Sequence, residues 1–104
     1  MMYKVIEDFS TENVNLVIEQ WGNQTMVAYT YDSSSESTAI QLFKALQKYK
    51  KLYFDCEIDD RHEIRRIHQS MREHMKRLYG ERIETETKRD NVTLFKLANN
   101  NEKV

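Results

Sequence analysis

The chain predicts a small α+β domain: an antiparallel sheet built from two β-hairpins, with a short N-terminal strand and two consecutive helices packed on one face. Three observations carry that expectation. Val14 to Trp21 and Gln24 to Tyr31 alternate apolar and polar residues around Gly22-Asn23. Asp59 to Tyr79 repeats apolar residues at helical spacing. Ile83 to Thr87 and Val92 to Leu97 read as two more strands about Lys88-Arg89-Asp90-Asn91.

In chain order, Tyr3 to Ile6 is a short strand, followed by a polar bend through Asp8 to Asn13. Gly22-Asn23 suits a two-residue hairpin loop because both residues tolerate positive φ. Under that loop, paired positions sum to 45, so Ile18 faces Val27, Leu16 faces Tyr29 and Val14 faces Tyr31. These six form the expected core side. The opposite side then carries Asn15, Val17, Glu19, Trp21, Gln24, Met26, Ala28 and Thr30. Ser33 and Glu36 form a capping box for the first helix. Its apolar face runs through Ala39, Leu42, Phe43, Leu46, Tyr49 and Tyr53, with Lys44, Lys48 and Lys51 on the solvated side. Asp55-Cys56-Glu57-Ile58 joins the helices. The second helix starts among acids and ends at Gly80, with Lys76 and Arg77 in its last turn. The last hairpin admits a two- or a four-residue loop, which leaves its register open.

Composition bounds the class. One core is what 104 residues support, at 39% hydrophobic and 32% charged side chains. We read residues 1–98 as one domain and Asn99 to Val104 as a frayed tail. No apolar run is long enough to span a membrane, and the N-terminus lacks the basic start and apolar middle of a signal peptide. A single cysteine, Cys56, excludes an internal disulfide framework, and the expected location is the cytoplasm. Net charge is −1, which argues against a general polyanion binder, but charge is unevenly distributed. Residues 1–37 hold one basic and six acidic side chains, whereas residues 38–80 hold ten basic and six acidic. These halves could attract each other within the molecule, between copies, or toward a partner.

The second helix sorts its charges by face. Ile64, Ile67, Met71, Met75 and Leu78 form one apolar stripe, and Arg61, Arg65, Arg72 and Lys76 form a ridge beside it, roughly 23 Å long. Glu63 precedes Arg66 by three and Glu73 precedes Arg77 by four, whereas Arg65, Arg72 and Lys76 have no acid at such spacing. Arginines along one ridge suit oxyanions or a partner's acids. They also serve when they merely answer the acidic hairpin or cover the seam with their stems. The seam itself can pack on the first helix, on the sheet, or on its copy in a homodimer. A second candidate surface is the back of the first hairpin, where Trp21 and Met26 would make an adaptable contact patch.

Other constellations are weaker. His62, His68 and His74, six residues apart on a helix, point about 120° apart and cannot share a metal. No zinc-protease pattern follows His62-Glu63, and there is no glycine-rich phosphate loop or nucleophile elbow. Cys56 lies beside Asp55 and Glu57, a setting that suppresses thiolate formation. Acids at Asp55, Glu57, Asp59 and Asp60 are better explained as helix-start charges than as a cation site. No metal or cofactor is expected.

The order of basic helix then hairpin, with Lys88 and Arg89 at the tip, resembles the recognition helix and wing of winged-helix proteins over about a third of the chain. The proline-free, Lys/Asn/Glu-rich composition resembles that of phage and mobile-element accessory proteins from AT-rich bacteria. The function expected from these features is that of a small non-enzymatic regulatory or inhibitory protein. It binds a protein partner through Arg61, Arg65, Arg72 and Lys76, through Trp21 and Met26, or through both. The alternative is a DNA- or RNA-binding regulator using the basic helix face with Lys88 and Arg89.

Overall fold

The structure is a computed structural model that describes residues 3–31, 35–58, 60–89 and 92–98. The described residues form an α+β fold of six strands and two α-helices. The strands are β1 (Tyr3–Asp8), β2 (Leu16–Trp21), β3 (Thr25–Thr30), β4 (Lys51–Cys56), β5 (Ile83–Arg89) and β6 (Val92–Leu97). The helices are α1 (Glu36–Tyr49) and α2 (Arg61–Tyr79). All six strands form one sheet in the order β1-β2-β3-β4-β6-β5. Each neighbouring pair is antiparallel except β3 and β4, which are parallel and joined through α1.

Strand β4 is the main departure from expectation. The first helix does not continue to Tyr53. It stops at Tyr49, where Lys50 takes φ 73° and returns its backbone N–H to the Leu46 carbonyl. The next six residues then alternate, with Leu52, Phe54 and Cys56 buried and Lys51, Tyr53 and Asp55 less so. Tyr49 and Tyr53 stand four apart and mimic a helical face, but the period after Lys50 is two. Asp55 and Cys56 therefore close a central strand instead of opening a connection, and the helices are separated by that strand. The expected cap Ser33 lies outside the described residues; Ser35 caps α1 by accepting from the Thr38 N–H at 3.1 Å. Asp60 caps α2, accepting from the N–H groups of His62 and Glu63, so that helix starts at Arg61 rather than Asp59.

The first hairpin is shifted by one residue from the expected register. Leu16 pairs with Thr30, Ile18 with Ala28 and Trp21 with Thr25, so paired positions sum to 46 around a three-residue loop, Gly22-Asn23-Gln24. Gly22 takes the positive φ, 65°, that the turn requires. Because side chains alternate across a strand, one residue of slip exchanges the two faces of β3. Ala28 and Thr30 point toward the helices with Met26, whereas Val27, Tyr29 and Tyr31 share the other face with Val17, Glu19 and Trp21.

Leu16, Ile18, Ala28, Leu52, Phe54 and Phe95 meet Ala39, Leu42, Leu46, Ile67, Met71 and Met75 in one core between sheet and helices. The α2 stripe is as expected: Ile67, Met71 and Met75 are buried, and Ile64 and Leu78 pack at its ends. The seam is thus used against its own domain. The last hairpin pairs Ile83 with Leu97 through Thr87 with Thr93, then shifts so that Arg89 meets Val92. Lys88 and Arg89 close β5 within the strand and do not form the loop. This hairpin is no free wing, since β6 pairs with β4 inside the sheet. No helix among the described residues is long and apolar enough to cross a membrane.

Candidate functional site

No described element covers the face of the sheet opposite the helices. β1 lies beside β2 in the plane of the sheet and the last hairpin extends its other side, so neither folds over the first hairpin. The register places Val5, Glu19, Val27, Tyr53 and Leu94 in one row across five strands, with Tyr3 and Trp21 on one side and Val17, Tyr29 and Asp55 on the other. Tyr3, Val5 and Tyr31 are 55%, 52% and 51% exposed. The Tyr3 and Trp21 rings stack with centroids 5.2 Å apart, and Tyr29 and Tyr31 meet edge to face at 5.1 Å. Such pairs form rigid apolar walls that are still open to solvent.

Glu19 lies among these rings and is only 2% exposed. Its Oε1 accepts the Trp21 indole N–H at 2.8 Å, and no cation pairs with it among the described residues. A carboxylate enclosed with one neutral donor is costly to the fold, which makes its position informative. Tyr29 donates its hydroxyl to Glu57. Burial and that bond, with the charges of Glu57, Asp55 and Glu19, push the Tyr29 hydroxyl far above its ordinary range. Burial, and then Glu19, raises Tyr31 as well. Burial outweighs the Cys56 N–H bond and raises Asp55, with Glu19 and Glu57 adding to the rise. The face is therefore aromatic and electronegative. Sequence reasoning placed Trp21 and Glu19 on this side but missed Tyr3, and it missed Tyr29 and Tyr31 because the expected register put both tyrosines in the core. Met26, expected beside Trp21, instead packs against the core from the helix side.

The basic ridge lies on the opposite layer. Arg61 and Lys76 are exposed, as is Arg65, which has a contact of its own. Arg72 is half-buried and donates to the Thr93 hydroxyl at 2.9 Å. Arg61, Arg72 and Lys76 have no carboxylate partner among the described residues. Arg72 and Lys76 line a groove of about 630 Å³ with Gly80, Glu81, Ile83, Thr85 and Thr87. Their neighbours are neutralised in part. Arg66 pairs with Glu63 as the spacing predicts, but Arg77 reaches Glu36 of α1 at 3.6 Å instead of Glu73. Lys48, expected to be merely solvated, pairs with Glu7 at 2.7 Å. Lys88 pairs with Glu86 at 3.2 Å.

The three histidines fall on different sides of α2: His62 is exposed, His74 half-buried beside Arg77, and His68 enclosed in the core. Cys56 is buried, and burial with the nearby Asp55 charge pushes its thiol up to about 11. No family model, curated protein or solved structure matches this chain.

Proposed function

We propose that this chain is a small non-enzymatic regulatory or inhibitory domain that binds a protein partner on the open face of its sheet. One observation carries the proposal: stacked and edge-to-face aromatic residues, with Val5 and an enclosed carboxylate, occupy a face that no described element covers. Tyr and Trp supply large contact area at low conformational cost and dominate the energetic centres of interfaces. The test is affinity capture from the source cell with wild type, a Tyr3→Ser/Tyr31→Ser double variant and an Arg65→Glu/Arg72→Glu double variant. The expected result is a protein retained by wild type and the ridge variant but lost by the face variant. A captured set that the face variant leaves intact would overturn the assignment.

A second reading, binding of DNA or RNA, is favoured by Arg61, Arg72 and Lys76 lacking carboxylate partners among the described residues along one side of α2. Contacts to n phosphates of a duplex give a slope near −0.9n in a plot of log affinity against log salt. Fluorescence anisotropy with a labelled duplex and a labelled single strand, using wild type and Arg72→Gln, checks this. The expected signature is a salt-dependent affinity that the variant weakens; an absence of binding at low salt would remove the reading.

A further inference from the structure

We infer that the open face recognises a cationic side chain, an arginine or lysine of the partner protein, seated on Glu19 between the Tyr3–Trp21 stack and Tyr31. The inference rests on the open face being the contact surface. Glu19 uses one oxygen for the Trp21 N–H, and its other oxygen carries no hydrogen bond among the described residues. Among the described residues, His68 Nε2 is the fully enclosed side-chain polar atom without a partner; the second oxygen of Glu19 is therefore not wholly sealed, and a cation reaches it by parting the rings that hold Glu19 to 2% exposure. Glu57 adds negative charge close enough to act on Tyr31, and with Asp55 on the neighbouring Tyr29. The cations of this face stand apart from Glu19. Lys51 shares the row of Trp21 two strands away and Lys96 three strands away, roughly 10 and 14 Å at the usual strand spacing, with Lys96 already paired to Glu84.

The chemistry fits a cation in two ways. A carboxylate held in a poorly solvated position gains most from an opposite charge that arrives with hydrogen-bond donors. The faces of Tyr and Trp attract a cation through their quadrupoles, and the flat stack of Tyr3 on Trp21 presents such faces beside the carboxylate. An anionic or purely apolar occupant would leave Glu19 facing like charge or no partner beyond the Trp21 N–H. Arginine and lysine share the required charge and differ in donor geometry.

Trp21 is the only tryptophan of the chain, so its fluorescence reports on the seat directly. The experiment titrates the full chain with short blocked peptides containing one arginine, one lysine or one citrulline, at matched ionic strength. Saturable changes are expected with arginine and lysine, and at least about tenfold weaker binding with citrulline. Glu19→Gln retains the acceptor for the indole N–H and should weaken arginine and lysine binding to the citrulline level; circular dichroism checks that it folds. Equal binding of all three peptides, or a wild-type response in Glu19→Gln, would overturn the cation seat. Glu19→Gln is also added to the capture experiment. Partner loss with Tyr3→Ser/Tyr31→Ser but not with Glu19→Gln would overturn the seat and leave the contact surface standing, whereas no loss with either would overturn both. Self-association abolished by Glu19→Gln would overturn the foreign partner and give the seat to the basic helix of a second copy.

Discussion

The Thr93 hydroxyl stands between a guanidinium and an imidazole and is hydrogen-bonded to both. It accepts from Arg72 and shares a hydrogen bond of 2.9 Å with His68 Nδ1. His68 Nε2 is enclosed and has no partner among the described residues. Burial, reinforced by the Arg72 charge, lowers the His68 pKa from 6.5 to about 4. The sign follows: above pH 6.5 the ring is neutral in folded and unfolded chains, and stability is complete. As pH falls, the unfolded chain takes up a proton that the folded chain refuses, so stability declines until pH is near the folded value. The full loss is on the order of 3 kcal/mol. Urea midpoints between pH 7 and 5 should therefore fall, before Glu7 and Asp8, held low by bonds from Lys48 and Ser10, begin to protonate. His68→Gln should abolish that slope, since its amide can bond the Thr93 hydroxyl without titrating. A slope unchanged in the variant would show that another group supplies it. Thr93→Val removes the partner of both groups and should cost about 1–3 kcal/mol.

At the scale of elements, Lys50 decides how much of the fold can be read in advance. It ends α1 with φ 73°, a region that side chains other than glycine seldom adopt. Lys50→Gly should therefore stabilise the chain by about 1 kcal/mol, measured as a higher urea midpoint at unchanged slope. A destabilised variant would mean that the lysine side chain, which reaches the Gln47 carbonyl, outweighs the backbone strain. Nothing in the local sequence announces a helix end here, because neither glycine nor proline stands nearby and Tyr53 continues the i, i+4 rhythm. The strand that follows was missed for that reason, and with it the parallel pairing. The α2 stripe was legible because five apolar residues keep one phase over several turns. The open face was not, because Gly22-Asn23 suits a two-residue loop as well as it suits the start of a three-residue one. One residue of slip moves Tyr29 and Tyr31 from the expected core to the open face.

The whole molecule divides its apolar residues between two tasks. The helix-facing side of the sheet is closed by α1 and α2, and its residues are almost completely removed from water. The opposite side keeps Tyr3, Val5 and Tyr31 half in water, so their burial contributes less to folding. A contact surface and a core should respond differently to truncation. Leu52→Ala, on the enclosed side of β4, should cost about 2–5 kcal/mol through lost burial and the cavity left behind. Tyr3→Ser and Tyr31→Ser, on the exposed side, should each change stability by no more than about 0.5 kcal/mol. Chemical denaturation of the three variants makes the comparison in one solvent series. If the tyrosine variants cost as much as the leucine variant, the open face belongs to the core's own energetics and its aromatic residues would need no partner to explain them. If they cost little, a protein that keeps several large rings at a water-facing surface gains nothing from them in folding, and their purpose lies in what they touch.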